Sequence, residues 1–223
     1  MKNVLIILFI GILISVVPIG CGSAIEGVPG KAEEPPPLLP SSGDYTFQRY
    51  IEEKEHTEYR VLYSKVPDSN IIQVKTVVDM DSANTSTDVF ETINFYEETK
   101  KGIYGYIVLS EDFPLDWDAN DIKKFPKTKI IAYPLEASNK WTETMEEFEL
   151  EITYHIRAID SEVETPADTF KNCIIIDFEE KDQNGNTLRK GSSVFAPQVG
   201  WIRHEIKEEV LKDVHKLIKI NEE

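Results

Sequence analysis

The sequence predicts a mainly β protein: a strongly curved antiparallel sheet, or half-barrel, with one or two short helices. Apolar and polar residues alternate without a break from Phe148 to Ala158, which indicates a long strand with one packed and one solvated face. Similar runs are separated by turn-forming residues, and Asn184-Gly185 between two of them is a strong hairpin signal. Because such a sheet must cover its apolar face, we expect it to curl, to pack on a second layer or to enclose something.

The composition is that of a folded and strongly acidic chain. Its 223 residues include 24 Lys or Arg and 40 Asp or Glu, which gives a formal net charge of −16. This balance argues against nucleic-acid binding, because that function needs cations to neutralise phosphates. With Cys21 and Cys173 as its two cysteines, the chain cannot build a multi-disulfide framework or a four-Cys zinc site.

Residues 1–20 are predicted to be a lipoprotein signal peptide. Lys2 precedes an apolar stretch from Val4 to Val17, which is shorter than the roughly 20 residues that span a bilayer. The segment Pro18-Ile19-Gly20-Cys21 resembles a bacterial lipobox, whose Cys receives diacylglycerol and becomes the new N-terminus. Cys21 is therefore the predicted lipidation site. An ordinary signal peptide cut after Ala24 and a retained signal anchor are the alternatives.

Lipidation at Cys21 predicts an extracytoplasmic protein anchored to a bacterial membrane. Gly22, which follows the Cys, favours the outer membrane if the cell has one. Residues 21–43 are rich in Pro, Gly and Ser without apolar periodicity, so we expect a semi-extended tether. Residues 44–223 form the predicted β domain.

The strands of this domain are predicted from alternation and β-forming residues, in the order in which they occur. They are Tyr59–Val66, Ile71–Met80, Val89–Tyr96, Tyr104–Leu109, Lys129–Tyr133, Phe148–Ala158, Cys173–Phe178, Leu188–Phe195 and Trp201–Ile206. Two stretches do not fit a strand. Asp112–Phe125 indicates an irregular loop or short helix, and the apolar spacing from Val210 to Ile218 favours a terminal amphipathic helix over a strand.

Three segments resemble the half-barrel fold of the lipoprotein-carrier (Lol-type) superfamily and related domains of unknown function. They are Tyr133-Pro134-Leu135 followed by Trp141, the run from Thr165 to Cys173, and the run from Phe195 to Ile202. Asp168 and Gln198 stand where those relatives usually have Gly. The resemblance implies a curved sheet and, by analogy, a hydrophobic concavity that binds lipid, acyl chains or a lipoprotein.

Aromatic residues are the main candidates for lining such a concavity. They are Tyr104, Tyr106, Trp117, Trp141, Tyr154, Phe195 and Trp201. The alternative is that these rings fill an ordinary β core, or plug the half-barrel, and leave no space for a ligand.

No catalytic or cofactor-binding constellation is recognisable, so we predict neither an enzyme nor a cofactor. Asp116-x-Asp118-x-Asn120 begins like a calcium loop but lacks the Gly and Glu that such a loop needs later, so no metal site is predicted. His155 and His204 are expected at exposed strand positions. Cys173 precedes three Ile residues, which predicts an inert core thiol.

Two functional hypotheses remain. In the first, a non-catalytic lipid-anchored envelope lipoprotein binds an apolar ligand or a lipidated partner on the concave face of its sheet. In the second, the protein is a structural or protein-interaction module of the envelope with a filled core and no ligand. A continuous apolar cavity of roughly several hundred Å³ favours the first hypothesis, and a packed interior favours the second.

Overall fold

A computed structural model describes residues 37–79, 89–108, 117–208 and 211–221. The signal peptide, Cys21 and most of the tether lie outside these residues, as does Asp116. The strands are β1 (Ser42–Ile51), β2 (Lys54–Lys65), β3 (Ile71–Asp79), β4 (Val89–Thr99), β5 (Gly102–Tyr106), β6 (Lys127–Ala132), β7 (Lys140–Met145), β8 (Leu150–Glu164), β9 (Thr169–Asp182), β10 (Thr187–Ala196), β11 (Gly200–Lys207) and β12 (Lys212–Asn221). Helix α1 (Ala119–Ile122) and one 3₁₀ turn (Glu146–Phe148) complete the described elements.

All twelve strands belong to one antiparallel sheet. Its spatial order is β6-β5-β4-β3-β2-β1-β12-β11-β10-β9-β8-β7, so two six-stranded meanders are joined where β1 pairs with β12. The free edges, β6 and β7, are consecutive in the chain and meet again in space. The sheet is thus a nearly closed, barrel-like layer, which confirms the prediction of a strongly curved antiparallel sheet with a short helix.

Side chains, rather than a backbone ladder, hold the two free edges together. Trp141 Nε1 donates to the carbonyl oxygen of Lys129 at 3.1 Å, and Glu143 Oε2 accepts from the Lys129 N–H at 3.0 Å. Both side chains leave the same face of β7 because they are two residues apart. We call this contact between β6 and β7 the seam.

The inward face of each strand supplies the core. On β8, Ile152, Tyr154 and Ile156 are at most 1% exposed, and the alternation that predicted this strand places them all on one face. Phe47 and Trp201 meet across the interior with ring centroids 5.9 Å apart. The apolar face of the sheet is therefore covered by its own curvature.

The predicted strands and the observed ones differ in number and in the tail. Each of the nine predicted runs overlaps a strand, whereas β1, β7 and β12 were not predicted. The prediction of a terminal helix is wrong, because residues 212–221 form β12 between β1 and β11. Val214 and Leu217 lie on opposite faces of β12 and are both buried, so the apolar pattern of this strand does not alternate strictly.

The end of the predicted tether is packed onto the sheet. Leu38 and Leu39 are 2% and 7% exposed, and their N–H groups donate to the Glu98 carboxylate at 3.1 and 3.2 Å. Gly200 has a φ of +79°, and a Cβ atom there would lie 3.1 Å from Pro40. This glycine therefore provides both the left-handed conformation and the close approach that the chain needs. The sheet thus fixes the chain from residue 37 onward.

Two short connections follow the sequence prediction. Asp182 Oδ1 accepts from the N–H groups of Asn184 and Asn186 at 2.9 and 2.8 Å, and Gly185 takes a φ of +80° in the predicted β9–β10 hairpin. Helix α1 begins after Asp118, whose side chain accepts from two backbone N–H groups of the first turn. Among the described residues, no helix has the length and apolar character needed to cross a bilayer.

Candidate functional site

The seven aromatic residues predicted to line one concave site are divided between two faces of the sheet. Trp141, Tyr154, Phe195 and Trp201 belong to the main core. Tyr106 and Trp117 belong to a second cluster on the outer face, and Tyr104 lies under the ammonium groups of Lys127 and Lys129, 4.8 and 5.8 Å from its ring centroid. These residues therefore do not form one continuous surface.

The second cluster covers part of the outer face of β4 and β5. Trp117 stacks on Phe125 with ring centroids 5.0 Å apart and on Phe95 at 6.2 Å, while the fully buried Ile122 of α1 packs beside them. The aromatic residues of the loop thus bury strand surface that would otherwise face water.

The described side chains fill the interior of the barrel-like sheet closely. Trp141 stacks on Tyr154 at 5.1 Å, and two small voids of about 30 and 20 Å³ are lined by side chains that include Leu39, Tyr96 and Trp201. A void of this size holds about one water molecule. The aromatic side chains and the end of the tether occupy the space in which an apolar ligand would have to lie.

A row of polar residues crosses the interior where the two meanders join. Arg49 on β1 is opposite His215 on β12, which is opposite His204 on β11, which is opposite Ser193 on β10. Directly opposed residues in neighbouring strands share a face. His204 and Ser193 are at most 2% exposed. We call these residues, together with Asp213 and Tyr59, the polar row.

The polar row is held together by direct contacts. Asp213 accepts from Arg49 Nε and Nη2 at 3.0 and 2.6 Å, and it lies 3.3 Å from His215 Nε2. The other ring nitrogen of His215 hydrogen-bonds the Tyr59 hydroxyl at 2.8 Å. Burial raises the pKa of the Asp213 carboxyl, but His215 and Arg49 outweigh that effect and hold it well below its usual range.

His204 is buried, so the expectation that it occupies an exposed strand position is wrong. Its ring stacks between Phe178 and Trp201, each at 5.8 Å, and Nδ1 hydrogen-bonds the Ser193 hydroxyl. Burial, together with the charge of neighbouring His215, lowers the pKa of His204 well below its ordinary value of 6.5. His155, in contrast, lies half-buried on the outer face.

The buried His204 predicts acid lability. The unfolded chain binds a proton at His204 near pH 6.5, whereas the folded chain keeps the ring neutral to lower pH. The free energy of unfolding should therefore fall by about 1.4 kcal/mol per pH unit as the pH drops below 6.5. Urea denaturation at pH 7.5, 6.5 and 5.5 measures this dependence. His204→Gln should flatten it, whereas the exposed His56→Gln should leave it unchanged; equal slopes in all three proteins would contradict the assignment.

Neither a nucleophile nor a metal centre emerges from the described residues. Cys173 is fully buried, and desolvation raises the pKa of its thiol to about 11, which confirms the prediction of an inert core cysteine. Within residues 37–79, 89–108, 117–208 and 211–221, no cluster of three His, Cys, Asp or Glu side chains is arranged to hold a metal ion. The Ser193–His204 pair lies inside the packed core and is closed to solvent.

A groove of about 790 Å³ lies on the outer face of β7 to β11, and most of the residues that line it are polar or charged. Three register shifts occur where β8 pairs with β9, and such bulges bend a strand pair. Cationic side chains dominate its charged lining: Lys140, Arg157, Lys190, Arg203 and Lys207 stand against Asp177, Glu179 and Glu205. We call this cavity the outer groove.

Ion pairs organise the outer groove. Arg157 Nε lies 3.0 Å from Asp177, while Glu205 contacts both Arg203 and Lys207, at 3.0 and 2.9 Å. Sequence reasoning did not find this groove, because the residues that form it come from five strands and are brought together only by the bend of the sheet. The alternation of polar and apolar residues in the sequence indicated only that these polar side chains would face water.

Comparisons with known proteins give similarity in structure alone. No protein-family model matches the chain, and no curated protein is significantly similar in sequence. A candidate exported protein with a YmcC-like fold from Bacteroides fragilis is 14% identical with a TM-score of 0.45, over 83% of this chain and 98% of that chain. A candidate lipoprotein from Parabacteroides distasonis is 12% identical with a TM-score of 0.45, over 85% of this chain and 100% of that chain. The resemblance to the Lol-type superfamily stays a prediction.

Proposed function

We propose that this chain is a non-catalytic, lipid-anchored protein of the bacterial envelope that serves as a protein-interaction module. The observation that supports an interaction module over a carrier of apolar ligands is the filled interior. A drug-sized ligand needs a pocket of roughly 300 to 1,000 Å³. The voids of about 30 and 20 Å³ between the described interior side chains are far smaller.

Cys21 is the residue that carries the proposed anchor. Cys173, the other cysteine, is fully buried in the core and cannot accept an acyl chain without unfolding. Residues 22–36 lie between Cys21 and the point where the chain meets the sheet. In an extended polyproline conformation they reach about 45 Å. The module then stands outside the cytoplasm, at the outer membrane in a cell that has one.

Replacing Cys21 by serine should release the protein from membranes. The measurement is fractionation of cells grown with an alkyne fatty acid, followed by detection of the acyl label on the protein. Cys21→Ser should lose the label and move to the soluble fraction, because the acyl chains supply the membrane affinity. Cys173→Ser is the matched control and should keep both the label and the membrane association. A labelled, membrane-bound Cys21→Ser protein would defeat the proposal.

Native mass spectrometry tests the filled interior. After gentle purification of the full-length chain in a neutral detergent, we expect the mass of the acylated polypeptide without a further apolar molecule. A stoichiometric lipid that survives this procedure would contradict the interaction module and restore the carrier hypothesis.

A further inference from the structure

The outer groove has an electrostatic character opposite to that of the chain. Five cationic side chains and three carboxylates line it, an excess of two positive charges, whereas the whole chain carries a formal charge of −16. His155 adds an imidazole, whose pKa is lowered by burial and by the neighbouring Lys140. A concave surface of this sign raises the local concentration of anionic partners.

Each carboxylate of the groove already has a cationic partner. Asp177 pairs with Arg157, and Glu205 pairs with Arg203 and Lys207. Glu179 pairs at 3.2 Å with Lys181, which lies outside the groove lining. Lys140 and Lys190 are exposed, and within the part of the chain that the structure describes neither makes an ion pair. An incoming anion therefore meets two ammonium groups whose charge is not neutralised by a contact within the groove.

The apolar residues at the floor of the groove limit which chemical class of partner can bind there. It contains aliphatic side chains from three strands, Val163, Ile175 and Val194. Phe178, which has the only benzene ring among the lining residues, is 3% exposed and so offers no open phenyl face on which a sugar could stack. A peptide brings both carboxylates for the lysines and apolar side chains for the floor, which an acidic polysaccharide does not.

The strands beneath the groove also limit how a partner can bind. β8, β9 and β10 each pair with a neighbour on both sides, so their backbone groups are used in the sheet. A partner must therefore be recognised by side chains, above all by the amines of Lys140 and Lys190. The volume of about 790 Å³ is that of a small-molecule or short-peptide site.

We propose that the outer groove docks an acidic, extended segment of a partner protein. The proposal rests on the proposed function as an interaction module and names the surface and the chemistry of its partner. It does not depend on the anchor, because the groove and residue 21 lie in different parts of the chain.

Binding of a synthetic peptide tests the groove. The probe is a fluorescein-labelled peptide of alternating Glu and Val, titrated with the full-length chain in a neutral detergent and followed by fluorescence anisotropy. The double variant Lys140→Glu/Lys190→Glu should weaken binding by about tenfold or more. The control Lys54→Glu/Lys65→Glu makes the same charge change at two exposed lysines of β2 and should alter the affinity by less than about twofold. Thermal unfolding should show that all three proteins are folded.

Each outcome decides the proposal. Selective loss in the Lys140→Glu/Lys190→Glu variant, with binding that weakens as salt rises, supports it. Equal affinity in both double variants overturns it, as does stronger competition by oligogalacturonate than by unlabelled peptide, which would assign the groove to an acidic polysaccharide. If the Lys140→Glu/Lys190→Glu variant loses peptide binding as expected but Cys21→Ser stays labelled at the membrane, the proposed lipid anchor is contradicted. The proposed peptide-binding groove is still supported in that case.

Discussion

Asp213→Ala is expected to lower the free energy of unfolding by about 3 to 5 kcal/mol. The Asp213 carboxylate has a side-chain exposure of 10% and balances the guanidinium of Arg49 and the ring of His215. Removing it leaves both partners without their acceptor in a largely dry setting. Arg49 keeps a side-chain exposure of 35%, so water recovers part of the loss.

Urea denaturation of the full-length chain at pH 7.5 measures the effect of Asp213→Ala. The matched control is Asp121→Ala, which breaks the exposed pair between Asp121 and Lys124 and should cost less than about 1 kcal/mol. Arg49→Met/Asp213→Leu should recover much of the stability, because it removes both charges together. A loss below about 1 kcal/mol in Asp213→Ala would show that the polar row does not join the meanders.

Trp141→Ala should have a comparable effect at the seam, a loss of about 3 to 5 kcal/mol. The indole ring stacks on Tyr154, and its N–H donates to the Lys129 carbonyl. Alanine removes both contacts and leaves a cavity between β7 and the interior. Deuterium uptake at β6 and β7 should also rise, because the two edges lose one of their connections.

Trp141→Phe separates the two contributions of the indole. Phenylalanine keeps the stacking on Tyr154 but cannot donate to Lys129, so a loss of about 1 kcal/mol is expected. The same denaturation and exchange measurements apply. If Trp141→Ala leaves both stability and deuterium uptake unchanged, the edges are held by some other contact.

The strands that the sequence predicts are rich in β-forming residues, and the clearest of them alternates continuously. β8 is recognisable because Ile152, Tyr154 and Ile156 face inward and charged or polar residues face outward. β7 was missed because Glu143 stands on its inward face, where a carboxylate breaks the apolar pattern. The structure explains that exception, since Glu143 accepts from the backbone of β6.

The polar row escaped prediction for a related reason. Once residues 210–218 are assigned to a helix, Asp213 and His215 fall on different faces. In β12 they lie two residues apart on one inward face, between the neighbouring hairpin strand β11 and the strand β1, which is distant in sequence. Pairing of β12 with β1 over more than 150 residues leaves no local pattern, so the contact of Arg49 with Asp213 cannot be derived from short-range periodicity. The outer groove cannot be derived from it either, because the groove depends on the bend of the sheet.

The hydrogen bonds at Lys129 also bear on how copies of the molecule behave toward one another. A bare strand border invites another chain to extend the sheet, and long, flat borders are common starting points of fibres. Here Glu143 occupies the amide and Trp141 the carbonyl of Lys129. The molecule thus protects its own border at this residue, a useful property for a protein that would be crowded with its copies on a surface.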